Sequence, residues 1–308
     1  MEVRGFRELQ YEVYRLYGEG AYREALALIE REAARFAHRA SDIYYWRACL
    51  ACRAEGADAG LRWLQEAAER GLWYHERILR DPDLAPLRDD PRLKPLLAVF
   101  EERRAAAQAT ARPVLYTYSP EGEPKKGLLL ALHGNASNFE DSEERGQWLP
   151  ALAAGWRVAL AQSSQVWAPG KYFWSGRDQG LAEVSAHLRA LNPPEATVVA
   201  GFSMGGALAV YAALCGSLPV SRFLAPAPAI RVESVLPLLE TCRRDVQGYV
   251  VVGDQDFGYP AACRFAEAMQ QAGLPCELEV RSGLAHDFPM DFSAGLTQRL
   301  EALCRAGS

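Results

Sequence analysis

The sequence predicts an α/β protein: a mostly parallel sheet with helices on both faces, preceded by a small all-helical region built from repeats. Three observations predict it. The first hundred residues carry their apolar positions at the helical period. From residue 113 onward, short β-rich apolar runs alternate with helical patterns. One of those runs, "ATVVAG" (196–201), passes through Phe202-Ser203-Met204-Gly205-Gly206 directly into the helical pattern "ALAVYAALC". A single serine therefore stands among glycines where a buried strand becomes a helix.

The helical region comes first. "AYREALALIEREAARF" (21–36) places Ala25, Leu26, Ile29, Ala33 and Phe36 on one face. "DAGLRWLQEAAERG" (58–71) repeats the register at an offset of 35, with Leu61, Leu64 and Ala68 in the places of Leu26, Ile29 and Ala33. This resembles a pair of tetratricopeptide-type helical hairpins, with the aromatic positions of that repeat only partly present at Tyr44, Tyr45 and Trp46. Two such units bury little core by themselves. Their apolar faces are expected to be covered by the rest of the chain or by a protein partner. A shorter repeat follows: Asp81-Pro82-x-Leu84-x-Pro86-Leu87 recurs as Asp90-Pro91-x-Leu93-x-Pro95-Leu96. Asp suits an N-cap and Pro the first helical position, so each copy is expected to start a helical turn. The boundaries read as a helical domain over residues 1–105, a linker over 106–112 and an α/β domain over 113–308.

In that last domain the strand candidates are "VLYTY", "GLLLALHG", "WRVALAQ", "ATVVAGF", "SRFLAPA", "GYVVVGD" and "CELEVRS". Nearly continuous apolar runs of this kind belong to parallel strands covered on both faces. The helical patterns between and after them are "DQGLAEVSAHLRAL", "GGALAVYAALC", "PAACRFAEAMQQAG" and "SAGLTQRLEALCRA".

Composition narrows the function. Net charge is −5 with both signs interspersed, hydrophobic residues make up 49% and charged residues 24%. No basic stripe exists to hold nucleic acid. No apolar run approaches a membrane span, and the N-terminus lacks the apolar core of a signal peptide. Seven cysteines without framework spacing read as reduced thiols in a cytoplasmic protein. Cys49-x-x-Cys52 has no second ligand pair nearby and lies in the helical "YYWRACLAC", so it reads as core rather than as a metal site.

The G-x-S-x-G junction is a nucleophile elbow. Small residues let the turn close, the Ser203 hydroxyl is aimed out of the sheet, and the Met204 amide is left at a helix N-terminus to bind an oxyanion. A serine nucleophile needs a base, and the base needs an orienting acid. Of the five histidines, only His286, in the loop after the last strand, follows the serine as the chain order of this arrangement requires. His38 and His75 lie in the helical region, His187 inside a helix, and His133 at a strand end, where a structural role is expected. The acid lies in "GDQD", as Asp254 or Asp256, between which spacing does not choose. His133-Gly134-Asn135 ends the first strong strand. Its Asn135 amide, or that of Ala136, is the expected second oxyanion donor. The loop "SSQVWAPGKYFWSGRDQG" (163–180) carries Trp167, Tyr172, Phe173 and Trp174. They read equally well as the wall of an acyl pocket or as packing residues.

The stretches "LLLALHGNASN", "GFSMGGALA", "GDQDFGYP" and "GLAHDFP" give residues 113–308 a resemblance to the α/β-hydrolases. More narrowly they resemble the phospholipase/carboxylesterase family, which includes acyl-protein thioesterase-like enzymes. The resemblance implies that the second acid of G-D-x-D, Asp256, is the triad member. It implies a serine hydrolase acting on acyl esters, thioesters or lysophospholipids through an acyl-enzyme, with no metal or organic cofactor. Met204 stands where that family usually has glutamine, which keeps the backbone donor but makes the side chain less polar. The first hundred residues lie outside the resemblance. Two rivals are a helical-repeat adaptor carrying a hydrolase-like module and a serine peptidase on the same fold.

Overall fold

The computed structural model describes residues 5–122, 124, 126–140 and 143–305. The chain divides into two compact units. One comprises the chain up to Thr110 together with Val166–Pro169; the other comprises Ala111–Gln165 and the chain from Gly170 onward.

The first unit is helical. It contains α1 (Phe6–Gly18), α2 (Tyr22–Glu32), α3 (Ala40–Ala54), α4 (Ala57–Glu69) and α5 (Leu93–Thr110), with 3₁₀ turns at Ala33–Arg39, Glu76–Arg80 and Pro82–Leu87. Each of the first four helices packs on the next. Leu26 and Ile29 of α2, and Leu61 and Leu64 of α4, are buried on the faces their spacing predicts. The two Asp-Pro copies each start a turn: Asp81 Oδ1 accepts the Asp83 amide at 2.9 Å and Asp90 Oδ1 accepts the Arg92 amide at 2.9 Å.

Two boundaries differ from the sequence reading. Residues 106–110, expected in a linker, continue α5 to Thr110. Val166–Pro169, expected in the α/β domain, belongs to the helical unit. Its backbone groups find their partners there: the Val166 amide donates to Gln108 Oε1 at 3.1 Å, the Trp167 carbonyl accepts from the His75 amide at 2.8 Å, and the Pro169 carbonyl accepts from Ser41 Oγ at 3.2 Å. Helix pattern alone does not reveal where an extended segment satisfies its backbone.

The second unit carries β1 (Val114–Tyr118), β2 (Gly127–Leu132), α6 (Glu144–Trp148), β3 (Trp156–Gln162), α7 (Arg177–Leu191), β6 (Thr197–Gly201), α8 (Met204–Leu214), β7 (Arg222–Pro226), α9 (Val232–Thr241), β8 (Gln247–Gly253), α10 (Tyr259–Gln271), β9 (Cys276–Arg281) and α11 (Phe292–Arg305). The short strands β4 (Val166–Ala168) and β5 (Lys171–Tyr172) fall between β3 and α7 in the chain. Among the described residues seven strands form one sheet, in the order β1-β3-β2-β6-β7-β8-β9. Every pairing is parallel except β1 with β3 at one edge.

Alternating residues of the strands feed two cores. Leu128, Leu130, Leu132, Val199, Phe223 and Val250 pack with α7, α8, α9 and α10. Leu129, Ala131, Val158, Leu160, Val198 and Val251 pack with Trp148 and α11. β2, β6 and β8 are buried along nearly their whole length, which is why they read as unbroken apolar runs. Among the described residues no helix is long and apolar enough to cross a membrane, and the seven cysteines are unpaired.

The α3–α4 contact is close because Gly60 lacks a side chain. A Cβ there would meet Cys52 Sγ at 2.0 Å and the Ala48 carbonyl oxygen at 3.0 Å. Gly60→Ala is therefore expected to destabilise the protein by about 2 kcal/mol through overpacking. Adding Cys52→Ala should recover most of that loss, because the sulfur is the nearest obstruction. Urea denaturation of the two single variants and the double variant checks this; additive losses would show that Cys52 is not the cause.

Candidate active site

The site grows from the carboxyl ends of β2, β6 and β8, where a parallel sheet offers loops and helix N-termini together. β6 ends at Gly201 and α8 begins at Met204, leaving Phe202 and Ser203 to make the turn. Ser203 has φ 53° and ψ −113°, a conformation that L-residues seldom adopt and that costs about 1–3 kcal/mol. The surroundings hold it there. Its amide donates to the Pro226 carbonyl at 3.1 Å, and its carbonyl accepts the amides of Ala207 and Ala229, each at 3.0 Å.

The glycines are required by contact. A Cβ at Gly205 would lie 2.4 Å from the Leu132 carbonyl oxygen and 2.5 Å from that of His133, and one at Gly201 would lie 2.4 Å from the carbonyl carbon of Gly205. β2, the end of β6 and the first turn of α8 therefore touch backbone to backbone. The Met204 amide occupies the first position of α8, where the helix supplies no acceptor.

Ser203 Oγ lies 2.9 Å from His286 Nε2, and His286 Nδ1 lies 2.8 Å from Asp256 Oδ2. A carboxylate only accepts, so Nδ1 carries the ring proton and Nε2 is left to accept from the serine hydroxyl. The second Asp256 oxygen, Oδ1, accepts the Gly258 amide at 2.7 Å. Asp256 is 4% exposed. Burial alone would raise its pKa, but the His286 and Gly258 hydrogen bonds outweigh that and hold it below the ordinary value. Asp254, the other acid of "GDQD", accepts the Gly283 amide at 2.7 Å. It fastens the loop that carries His286, as does the Gln255 amide on the Leu284 carbonyl at 3.1 Å. Gly253 permits that closeness, since a Cβ there would sit 1.8 Å from the Leu284 oxygen.

Two rings pack near His286. Phe202 lies 5.2 Å away and is itself stacked on Phe288 at 4.5 Å. Phe257 lies 4.5 Å away.

The loop after β2 is tied from several directions. His133 is fully buried. Its Nδ1 donates to the Gly134 carbonyl at 2.7 Å and its Nε2 accepts the Ser163 amide at 3.1 Å. Burial pushes it down to about 4, so it is a neutral structural residue at ordinary pH. The Gly134 amide donates to Glu144 Oε2 at 2.9 Å. Asn138 Nδ2 donates to the Gly170 carbonyl at 2.7 Å, and Ser137 pairs with Tyr172 in an antiparallel bridge. Asn135 lies exposed in the turn between these anchors, and Ala136 takes φ 52°. Glu144 itself is pushed up to about 7 by burial, opposed by hydrogen bonds from Ser137 and Gly134 and by the charge of Lys171, with the Asp287 charge adding to the rise. No spacing rule points to Glu144, ten residues beyond the glycine it holds.

The four aromatics of the 163–180 loop are divided between the two units. Trp167 belongs to the helical unit and stacks on His75 at 5.9 Å. Phe173 and Trp174 are 3% and 4% exposed, and the Trp174 indole N–H donates to the His133 carbonyl at 2.9 Å. Tyr172 is half-buried, with its ring 6.5 Å from that of His133. Of the two readings, packing suits Phe173 and Trp174, whose aromatic surface is almost wholly buried. In the helical unit, Cys49, Asp81 and Asp83 come within 4.8 Å of one another. Their carboxylates are already engaged, Asp81 by the Asp83 amide and Tyr45 and Asp83 by Tyr17 Oη at 2.8 Å.

Residues 6–108 match a protein family described as A/B hydrolase-like, N-terminal domain. Among solved structures, an uncharacterized protein from Bacillus cereus ATCC 10987 is similar over 98% of this chain and 99% of its own, at 26% identity and a TM-score of 0.54. Esterase PE8 is similar over 62% of this chain and 99% of its own, at 19% identity and a TM-score of 0.55. Est1E from Butyrivibrio proteoclasticus covers 63% of this chain and 95% of its own, at 14% identity and a TM-score of 0.51. No curated protein matches the chain.

His133 and Glu144 give the protein two opposed proton linkages. His133 falls from 6.5 to about 4 on folding, so its contribution is intact above pH 6.5 and lost as pH falls toward 4, by about 3 kcal/mol in full. Glu144 rises from 4.5 to about 7, so its contribution is intact below pH 4.5 and lost as pH rises through 7. Glu144→Gln keeps an acceptor for Gly134 and removes the second linkage. The variant is expected to exceed the parent in stability at pH 8 and to lose stability more steeply than the parent between pH 6.5 and 4.5. Urea titrations at pH 4.5, 6.5 and 8 check the order.

Proposed function

We propose that this chain, an α/β-hydrolase fold joined to an N-terminal helical unit, is a serine hydrolase of carboxylic esters. The observation that carries the proposal is the unbroken hydrogen-bond chain from Ser203 Oγ through His286 to Asp256, set on a strained turn at the end of β6. Backbone strain held by several hydrogen bonds marks a position kept for its direction rather than for stability. Two of the proteins sharing the fold are named as esterases, which supports the same class of chemistry here.

In the proposed reaction His286 Nε2 takes the Ser203 proton as Oγ attacks the acyl carbon. Asp256 keeps the ring in the tautomer that leaves Nε2 free and stabilises the imidazolium that forms. The charge on the carbonyl oxygen falls to the Met204 amide at the start of α8 and to the Asn135 amide in the loop after β2. The imidazolium then gives its proton to the leaving oxygen, the alcohol departs, and water repeats the sequence on the acyl-enzyme with His286 again as base. Thioesters and lysophospholipids present the same acyl carbon and belong to the same proposed class. No step calls for a metal or an organic cofactor.

The test is a fluorophosphonate probe together with ester turnover. The probe is expected to label Ser203, and Ser203→Ala to abolish both labelling and turnover. Asp256→Asn should lower kcat by about 10⁴, the scale set by an acid that fixes the histidine tautomer. Asp254→Asn, which loses only a loop hydrogen bond to Gly283, should cost far less. Labelling at another serine, or a larger loss from Asp254→Asn than from Asp256→Asn, would remove the mechanism.

A further inference from the structure

Phe257 stands directly after Asp256 and is 77% exposed, yet its ring lies 4.5 Å from the His286 ring at 33°. Scattered apolar residues on a surface need no explanation; one laid against the imidazole of a Ser-His-Asp chain does. It is not needed to orient that imidazole. Asp256 Oδ2 fixes Nδ1, Ser203 Oγ meets Nε2, and Phe202, backed by Phe288, also packs against the ring. Most of the Phe257 surface is left uncovered beside the reacting atoms.

The direction of proton transfer says which part of a substrate meets it. The imidazolium must hand its proton to the leaving oxygen, so that oxygen comes within hydrogen-bond reach of His286 Nε2. The first carbons of the alcohol portion then lie at the Nε2 edge of the imidazole, the ring against which Phe257 packs. The acyl chain hangs from the other side of the carbonyl carbon and points away. Resting on the serine-hydrolase reading above, we propose that Phe257 is an apolar platform for the alcohol portion of the substrate. It selects esters of flat or bulky apolar alcohols, such as aryl and arylalkyl esters, over esters of small alcohols. A flat apolar group laid on this ring removes both faces from water and gains the ring–ring term as well.

Two ester series separate the sides of the substrate. In the first the acid is acetate and the alcohol is methanol, n-butanol or benzyl alcohol. In the second the alcohol is methanol and the acid runs from acetate to octanoate. Phe257→Ala is expected to lower kcat/KM for benzyl acetate about tenfold more than for methyl acetate, chiefly through KM, the scale of one lost aromatic contact. The ratios along the acyl series should shift by less than about twofold. Phe257→Leu, which keeps apolar surface without a flat face, should fall between parent and alanine on the alcohol series. An equal loss on every ester would overturn the proposal and assign the ring to holding His286. A shift confined to the acyl series would overturn it in favour of an acyl-side contact. Absence of turnover of any ester by the parent protein, with no fluorophosphonate label on Ser203, would instead overturn the hydrolase reading itself.

Discussion

The second unit is organised around the contact between the end of β2 and the first turn of α8. Gly205 sits with its Cα against the carbonyls of Leu132 and His133, and Gly201 is equally close to Gly205. No side chain fits between them. That closeness forces the two-residue turn at Phe202 and Ser203, gives Ser203 its left-handed φ and leaves the Met204 amide at a helix start. The strain is offset locally: the Ser203 amide and carbonyl together take part in three backbone hydrogen bonds, each worth about 1 kcal/mol net. The turn is therefore held by its own backbone hydrogen bonds.

The rest of the site is built by loops that brace one another. His286 is delivered by the loop after β9, and the loop after β8 supplies both its acid and its anchor. Asp256 meets the ring, while Asp254 and Gln255 hold the backbone at Gly283 and Leu284. Two neighbouring acids thus divide the work, one on the imidazole and one on the chain that carries it. On the opposite side, a neutral buried histidine and a carboxyl group that burial pushes up to about 7 grip the ends of the Gly134 peptide groups. Both groups lose solvation and both remain uncharged more readily than in water. In the proposed reaction that would suit the loop, because a full carboxylate beside its amides would compete with the developing negative charge.

β2, β6, β7 and β8 were legible in the sequence because each is an apolar run that parallel pairing buries, while β1, β3 and β9 were legible as short β-rich runs between turn or helical patterns. α2, α4, α7, α8, α10 and α11 were legible from their spacing. α9 was not singled out, since it is ten residues long and Pro237 interrupts it. Ser203 and His286 were readable because one needs a strand-to-helix junction among small residues and the other must follow it in the chain. The strand order, with β3 outside β2 and β1 turned antiparallel at the edge, had no local signature.

What the sequence by itself determined was therefore what depends on neighbours along the chain: the helical faces, the strand runs, the elbow and the Asp-Pro caps. The tertiary structure decided what depends on neighbours in space. It put Asp256 rather than Asp254 against His286, set Phe257 beside that ring and gave Glu144 the Gly134 amide. It buried Trp174 under the loop after β2, and it drew Val166–Pro169 into the helical unit. The physical reason is common to all five. A side chain's burial, charge and hydrogen-bond partner are set by elements outside its own stretch of chain, and one-dimensional periodicity carries no record of which of them will meet.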